Sequence, residues 1–214
     1  YLQSQSITGI IIYGMSKEDK VLHRLISTGK FKCVVIDAPF VNASTSCIGV
    51  DHRRAQYEVA AKTVMENNCK RILYIAGKRN GYVTDERIRG MEDLIKEKNL
   101  TMLVRNGEFS ELQARNITLK YAKNKDIVVC ASDLMAIGAM KALIQMDIFR
   151  PVCGFDGIIL MGYVGKQMNT VRQDFASISE SAMEELQELM NGGYGRNIVM
   201  KHSLVRMKYE DIIA

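Results

Sequence analysis

Short runs of β-branched residues alternate along this chain with longer segments of helical period. This alternation predicts βαβ units built around parallel sheets. The runs are apolar at consecutive positions instead of every second one, which indicates strands that helices cover on both faces. The six runs span residues 10–13, 32–36, 71–76, 101–105, 126–131 and 152–155.

The regular alternation ends after Phe155. A glycine-containing stretch without a clear period follows, then a helical segment and a last strand-like run over residues 198–207. Such a late return of the chain predicts two lobes joined by several crossings. We expect an N-terminal lobe of residues 1–50 and about 174–191, and a C-terminal lobe of residues 51–173 and about 192–214.

The composition is that of an ordinary globular protein. Of the 214 residues, 47% are hydrophobic and 25% are charged, and a chain of this length can bury roughly 70% of its unfolded surface. No apolar run approaches the ~18 residues that would span a bilayer. Residues 1–5 form neither a basic start nor an apolar targeting stretch, so we expect no targeting segment and a chain that begins within a longer protein.

Charge and cysteine content limit the class of protein. The net charge of +5 is dispersed, without the block of like charges that indicates a nucleic-acid-binding arm. We expect the cysteines to be buried, reduced thiols of a cytoplasmic protein, with redox or metal-binding roles as the alternative. The five cysteines, odd in number and widely spaced, are Cys33, Cys47, Cys69, Cys130 and Cys153.

The chain lacks the sequence signatures of common enzymes. It contains no Gly-x-Gly-x-x-Gly, no phosphate-binding Gly-Lys-Ser/Thr, no Gly-x-Ser-x-Gly and no His-Glu-x-x-His. The three histidines, His23, His52 and His202, are isolated among polar or basic residues and are expected on the surface. We therefore expect no catalytic residues, no cofactor and no metal site.

Polar or aromatic residues follow five of the predicted strands. In open α/β sheets, ligands bind beyond the carboxyl ends of parallel strands, where loops and helix N-termini converge. Each acid taken singly is better explained as a helix cap or a loop ion pair, but their recurrence at successive strand ends predicts a ligand-binding cleft. The positions are Asp37, residues 77–85, Phe109, Ser132 with Asp133, and Asp156.

Six short stretches carry a more specific signal, because they come in one family's order over nearly the whole chain. Each stretch alone is weakly diagnostic. They are Thr8-Gly-Ile-Ile-Ile12, Val35-Ile-Asp37, Arg87-Ile-Arg-Gly90, Ala131-Ser-Asp-Leu-Met-Ala-Ile-Gly138, Cys153-Gly-Phe-Asp156 and Thr170-Val-Arg-Gln-Asp174.

In these stretches the chain resembles the lactose/galactose repressor family of bacterial transcription regulators. The resemblance implies a two-lobed α/β fold of the periplasmic-binding-protein type, in which each lobe is a mostly parallel sheet flanked by helices. It departs from the family at Ser132, where asparagine is commoner, and at Gly157, where a second aspartate is frequent. The connection over residues 146–151 is also shorter than is usual in the family.

The resemblance also implies roles for individual residues. Arg87 is similar to the arginine that grips the hydroxyl oxygens of the effector, and Asp156 to the acid that accepts their hydrogen bonds. This chemistry is consistent with sugar recognition, because Arg and Asp bind vicinal diols bidentately and an aromatic face covers the apolar side of the ring. The remaining implied ligand contacts are Asp37 from the other lobe, Ser132, Gln173 and the aromatic platform Phe109, whereas Asp133 is expected to cap its helix.

The implied protein is a cytoplasmic homodimeric repressor that binds a small polar effector between its lobes and does not contact the membrane. A sugar or sugar derivative is the expected effector, with a nucleoside as the alternative. Operator DNA would be bound by an N-terminal headpiece, which is not in this sequence. The family uses effectors that either release or strengthen DNA binding.

Two other classes of protein share this architecture. The first is a periplasmic sugar-binding protein of a transport system, although five unpaired cysteines suit an oxidising compartment poorly. The second is a doubly wound enzyme, for which no nucleophile and base pair is visible.

Overall fold

The computed structural model describes residues 7–158 and 168–207. The chain divides into two compact units, each assembled from separate segments. The first unit consists of the chain up to Asp51, with Asn80–Val83 and Asp174–Lys201. The second consists of His52–Arg79, Thr84–Gln173 and the chain from His202 onward.

The elements of the first unit are β1 (Gly9–Tyr13), α1 (Lys20–Ser27), β2 (Lys32–Ile36), β3 (Thr45–Val50), α6 (Phe175–Met190) and β9 (Asn197–Met200). Its four strands form a parallel sheet in the order β1-β2-β3-β9. Helix α6 packs on strands β1, β2 and β3 of this sheet. Its buried residues recur at the spacing of one helical face, which explains why the helix forms against the sheet.

The elements of the second unit are α2 (His52–Glu66), β4 (Arg71–Ala76), α3 (Tyr82–Lys98), β5 (Thr101–Asn106), α4 (Glu111–Tyr121), β6 (Ile127–Cys130), α5 (Asp133–Gln145), β7 (Val152–Cys153), β8 (Met168–Gln173) and β10 (His202–Met207). Its strands form a six-stranded sheet in the order β10-β8-β7-β6-β4-β5. All neighbouring strands are parallel except β10, which runs antiparallel to β8.

The predicted α/β fold class with mostly parallel sheets is confirmed. Residues 72–76 of β4 and all four residues of β6 are fully buried, as expected for strands covered on both faces. None of the helices within the described residues is long and apolar enough to cross a membrane.

Strand β3 and helix α2, which are consecutive in the chain, are among the elements that the sequence did not predict. Strand β3 is fully buried, but its threonine, serine and glycine interrupt the apolar run that marks the other strands. Helix α2 buries the polar residues His52, Gln56 and Thr63 on the same face as its apolar ones, so its apolar period is weak. In both cases tertiary packing decides the structure more than local composition does.

The strand-like run over residues 198–207 is two strands in two different sheets. Strand β9 pairs in parallel with β3, whereas β10 pairs with β8, and Lys201 separates them. Residues 192–201 therefore lie in the first unit, not in the predicted C-terminal lobe, as do residues 80–83. Residues 208–214 of that predicted lobe lie outside the described residues.

Helices α4 and α5 approach closely at Gly138. A methyl group on Gly138 would overlap the backbone carbonyl oxygen of Glu111 in α4. A backbone carbonyl cannot turn aside as a side chain does, so a larger residue would have to push the two helices apart.

We expect Gly138→Ala to lower the free energy of unfolding. Overpacking costs about 1–3 kcal/mol, and the gain of roughly 1 kcal/mol for alanine over glycine in a helix offsets only part of it, because the clash is with backbone. Urea denaturation followed by circular dichroism measures the change. Leu134→Ala, at an exposed position of the same helix, is the control and should change stability less. A Gly138→Ala protein as stable as the wild type would contradict the close approach.

Candidate functional site

The predicted ligand contacts of the second unit lie at one edge of its sheet. Strands β5, β6, β7 and β8 run parallel, so their carboxyl ends meet at the same edge. Ser132 and Asp156 follow β6 and β7, Gln173 ends β8, and Phe109 follows β5. This is the edge at which open α/β sheets place their ligands.

Arg87 in α3 is almost completely buried at this edge, with 3% of its surface exposed. Its Nη1 donates to the backbone carbonyl oxygen of Ala131, directly after β6. Nε and Nη2 lie 3.4 and 3.3 Å from Nδ1 of His52. Because a guanidinium has only donors, His52 Nδ1 must be the acceptor. The ring of Phe155 lies below the guanidinium, with its centre 3.5 Å from Cζ, as in a close cation–π contact.

Asp156 lies beside Arg87 and offers a partly open carboxylate. Its Oδ1 is 3.6 Å from Arg87 Nη2 and accepts a hydrogen bond of 3.0 Å from Gln173 Nε2. Both contacts engage the same oxygen, and 24% of the side chain remains exposed. Burial raises the pKa of Asp156, and the Arg87 guanidinium and the Gln173 amide act in the opposite direction. The carboxylate thus keeps acceptor capacity for a ligand.

The backbone of Asp156 is held in an unusual conformation. Its φ angle is 113°, a region that residues with side chains rarely adopt. The backbone is fixed to β8 on both sides, since Asp156 N donates to Val171 O at 2.8 Å and Gln173 N donates to Asp156 O at 3.3 Å. Strained residues of this kind concentrate at functional sites.

The predicted helix-capping role of Asp133 is wrong. Helix α5 is capped by Ser132, whose Oγ accepts from the backbone nitrogen of Met135 at 3.3 Å. The carboxylate of Asp133 is fully buried, and it accepts from Thr170 Oγ1 at 2.6 Å and from Ile158 N at 2.9 Å. Burial raises the pKa of Asp133 to about 7 against these two hydrogen bonds, and the nearby charge of Asp156 adds to the rise.

Phe109 lies over the end of β4. Glu108 and Phe109 both have φ angles of 55°, and the turn closes with a hydrogen bond of 2.8 Å from Ser110 N to Gly107 O. The half-buried ring occupies the space that a side chain at position 77 would need, so Gly77 must lack one. The aromatic ring is therefore placed at the same sheet edge as Asp156.

Ser132 and Asp37 complete the predicted set. Ser132 is buried, and its hydroxyl oxygen is engaged as the helix cap, although its hydroxyl hydrogen can still be donated. Asp37 belongs to the first unit, where it follows β2 with a φ angle of 59° and donates its backbone N–H to Ile48 O at 2.9 Å. The ligand-contact roles of the six residues remain predictions.

His52 and Phe155 are site residues that the sequence did not predict. The expected surface position of His52 is wrong, because the residue is 6% exposed and packs against Arg87 and Phe155. The other two histidines are also partly buried, His202 against Glu58 and His23 against Ser16. Phe155 directly precedes Asp156, and this position was the one feature of the sequence that could have predicted it as a site residue. For His52 the polar neighbours in sequence pointed the wrong way.

No group of three or more potential metal ligands was found among His, Cys, Asp and Glu side chains of residues 7–158 and 168–207. The groups at this edge are suited to hydrogen bonding. It combines a fixed guanidinium, a partly open carboxylate, a hydroxyl and an aromatic ring.

Residues 61–209 match the family model of the periplasmic binding protein-like domain. The HTH-type transcriptional regulator MalR of Clostridium butyricum is 28% identical over 75% of this chain and 51% of that protein. The HTH-type transcriptional repressor PurR of Aliivibrio fischeri (strain MJ11) is 23% identical over 87% of this chain and 59% of that protein. The chain thus spans only between 51% and 59% of the length of these relatives.

Solved structures of regulators have a similar fold. A LacI-family regulator from Enterococcus faecium with bound ribose has a TM-score of 0.83 at 16% identity, covering 97% of this chain and 81% of that one. A CelR–cellobiose complex has a TM-score of 0.83 at 21% identity, with coverages of 96% and 67%. The lac repressor dimer bound to operator and an anti-inducer has a TM-score of 0.81 at 20% identity, with coverages of 96% and 74%. The predicted periplasmic-binding-protein-like fold is confirmed.

Asp133 makes the stability of the protein depend on pH. Its pKa in the folded protein, about 7, lies above the ordinary value of 3.8, so the folded chain holds a proton that the unfolded chain releases between these values. Stability from this group is complete below pH 3.8 and declines as the pH rises toward 7, by at most about 1.4 kcal/mol per pH unit. We expect Asp133→Asn to flatten this decline, measured as urea midpoints between pH 5 and 7.5.

Asp126→Asn is the control for this measurement. The Arg71 guanidinium holds the pKa of Asp126 well below its usual range, so Asp126 is ionised throughout the interval. Its substitution should change stability by the same amount at every pH. An Asp133→Asn protein with the wild-type slope would show that Asp133 is ionised when buried.

Proposed function

The chain belongs to the periplasmic binding protein-like domain family, in its lactose/galactose repressor branch, and on that basis we propose that it is the effector-binding domain of a bacterial transcription regulator of the repressor type. Its proposed ligand is a small polar molecule bound at the carboxyl edge of the six-stranded sheet. The relatives carry the names of transcriptional regulators and not of enzymes, which supports a function in binding instead of catalysis.

The proposal rests chiefly on Asp156. This carboxylate is fixed on one oxygen by Gln173 and Arg87 and is partly exposed, so it can accept hydrogen bonds from a ligand without moving. Acceptors that are already oriented are the groups that fix a polar ligand in its pocket. The aromatic ring of Phe109, at the same edge of the sheet, supplies an apolar face of the kind that packs on a sugar ring.

A sugar is the ligand class we favour. Two regulators of the same fold were solved with cellobiose and with ribose, which supports this assignment. A nucleoside is the alternative effector, because its ribose offers the same vicinal hydroxyls and its base can stack on an aromatic ring. A panel that contains both classes distinguishes them.

We place operator binding in a helix-turn-helix headpiece outside these 214 residues. The chain matches just over half the length of its relatives, and the solved lac repressor is a dimer bound to its operator. Effector binding and operator binding would then be coupled, with each changing the equilibrium of the other by the same factor. A homodimer in the cytoplasm is the assembly that fits this role.

The cysteines support a cytoplasmic regulator over a periplasmic transport protein. All five are free and buried, and burial raises the pKa of each thiol. Free thiols in this number are typical of a reducing compartment, because oxidising compartments favour disulfides.

We expect Asp156→Asn to weaken ligand binding while the fold is retained. The amide keeps an acceptor for Gln173 but loses the charge, and a hydrogen bond to a charged group contributes about 1.5–3 kcal/mol, or roughly 10- to 150-fold in affinity. A thermal-shift panel of pentoses, hexoses, disaccharides and nucleosides identifies the ligand, and titration calorimetry then compares the affinities. The urea midpoint of the unliganded variant should be close to that of the wild type.

Asp147→Asn is the matched control, since Asp147 is exposed and also has a positive φ angle, at the end of α5. It should leave the affinity unchanged. The assignment of the site fails if Asp156→Asn binds the ligand as tightly as the wild type. Arg87 is less suitable for this test, because its contacts with Ala131 and Phe155 also support the fold.

A further inference from the structure

Asp133 holds the turn that contains Asp156 at both ends. Its backbone nitrogen donates to the carbonyl oxygen of Phe155 at 2.6 Å. Its side-chain Oδ2 accepts from the backbone nitrogen of Ile158 at 2.9 Å. The two hydrogen bonds bracket Asp156 and Gly157, so the position of the turn follows the position of Asp133.

Thr170 fixes the Asp133 carboxylate from the other side. Thr170 is fully buried in β8, and its Oγ1 donates to Asp133 Oδ1 at 2.6 Å. Gly154 leaves the room for this arrangement, since a methyl group there would overlap the same oxygen. The carboxylate therefore joins three elements: the start of α5, the turn after β7, and β8.

The two hydrogen bonds of Asp133 help to hold Asp156 in its strained backbone conformation. The φ angle of 113° is costly for a residue with a side chain and persists only where the surroundings hold it. The neighbouring strand holds the backbone of Asp156 itself through Val171 and Gln173. The contacts of Asp133 hold the residues immediately before and after, and without them the turn could relax to an ordinary conformation.

We propose that Asp133 and Thr170 are positioning residues for the effector, acting through the turn that presents the Asp156 carboxylate. The inference rests on the proposed function only in so far as Asp156 contacts the effector. In this account Asp133 never touches the ligand, and its hydrogen bonds set the direction in which Asp156 points.

A role in helix capping or packing does not explain an acid at this position. Ser132 already caps α5, and a fully buried carboxylate is costly unless its hydrogen bonds are satisfied. An apolar residue would fill the space without that cost, but it could not accept from Thr170 and Ile158 at once. The acid is needed for the two acceptor oxygens, one for each partner.

The test separates the hydroxyl of Thr170 from its bulk. Thr170→Val keeps the volume and removes the donor to Asp133, whereas Thr170→Ser keeps the donor and removes a methyl group. Thr118→Val is the matched control, because Thr118 is also fully buried and donates its hydroxyl to a carbonyl, that of Ala114 within α4. Two readouts are needed: amide hydrogen exchange of the unliganded protein at Ile158, and calorimetric affinity for D-ribose and cellobiose.

We expect Thr170→Val to speed amide exchange at Ile158 and to weaken sugar affinity, each by about tenfold, the effect of losing roughly one hydrogen bond. Thr170→Ser should keep both values close to those of the wild type even if its urea midpoint falls, and Thr118→Val should change neither value. The proposal is overturned if exchange at Ile158 in Thr170→Val equals that of the wild type. It is also overturned if affinity falls equally in Thr170→Ser, because bulk would then be the cause.

The hydrogen-exchange readout keeps this inference distinct from the proposed function. If the wild-type protein binds neither sugar and no member of the wider panel, the proposed function fails. Exchange at Ile158 still decides whether Thr170 and Asp133 hold the turn. If a sugar binds and Thr170→Val loosens the turn without loss of affinity, the positioning role is wrong while the proposed function stands.

Discussion

A guanidinium cannot give up its charge inside a protein, and the buried Arg87 therefore dictates what surrounds it. Three groups meet it from different elements: the Ala131 carbonyl at the end of β6, the His52 ring at the start of α2, and the Phe155 ring after β7. Loss of any of them would leave donors or charge unsatisfied in a desolvated place, at a cost of several kcal/mol. These contacts hold the end of β6, the start of α2 and the segment after β7 together. They also place Asp156 beside a fixed positive charge.

Two acids with different environments follow from this arrangement. Asp156 faces Arg87 and remains partly exposed, whereas Asp133 is fully buried and burial raises its pKa to about 7. The charge of Asp156 raises the pKa of Asp133 further, so ionisation of both acids together is disfavoured. Asp156 thus offers a partly exposed carboxylate at the sheet edge, and Asp133 supports it from a fully buried position.

Much of the fold was predictable because a strand that is buried on both faces is apolar at consecutive positions of the sequence. The runs that became β4 and β6 are apolar at consecutive positions, and their burial is complete. Strand β3 and helix α2 were missed, because polar residues such as Ser46 and Gln56 are buried in them by contacts from elsewhere in the chain. The division of residues 198–207 between two sheets was likewise beyond local pattern, since both halves read as strand.

The candidate site was predictable only in part. Arg87, Asp156 and Gln173, which the family resemblance implied as ligand contacts, lie in contact with one another through Asp156, and their roles toward a ligand remain predictions. The contribution of His52 depends on a contact with Arg87, 35 residues away, and that of Asp133 on Thr170, 37 residues away. Neither pairing leaves a trace in the neighbouring sequence. A buried acid after a serine looks the same as a helix cap until its hydrogen-bond partner is known.

The most direct test of the central claim is a crystal structure of the protein with the sugar or nucleoside that most raises its melting temperature. The account predicts ligand hydroxyls within hydrogen-bonding distance of the Asp156 carboxylate, at the carboxyl edge of the six-stranded sheet. A ligand bound instead at the amino edge, where Thr63, Glu66 and Asn169 line a cavity of about 250 Å³, would contradict it.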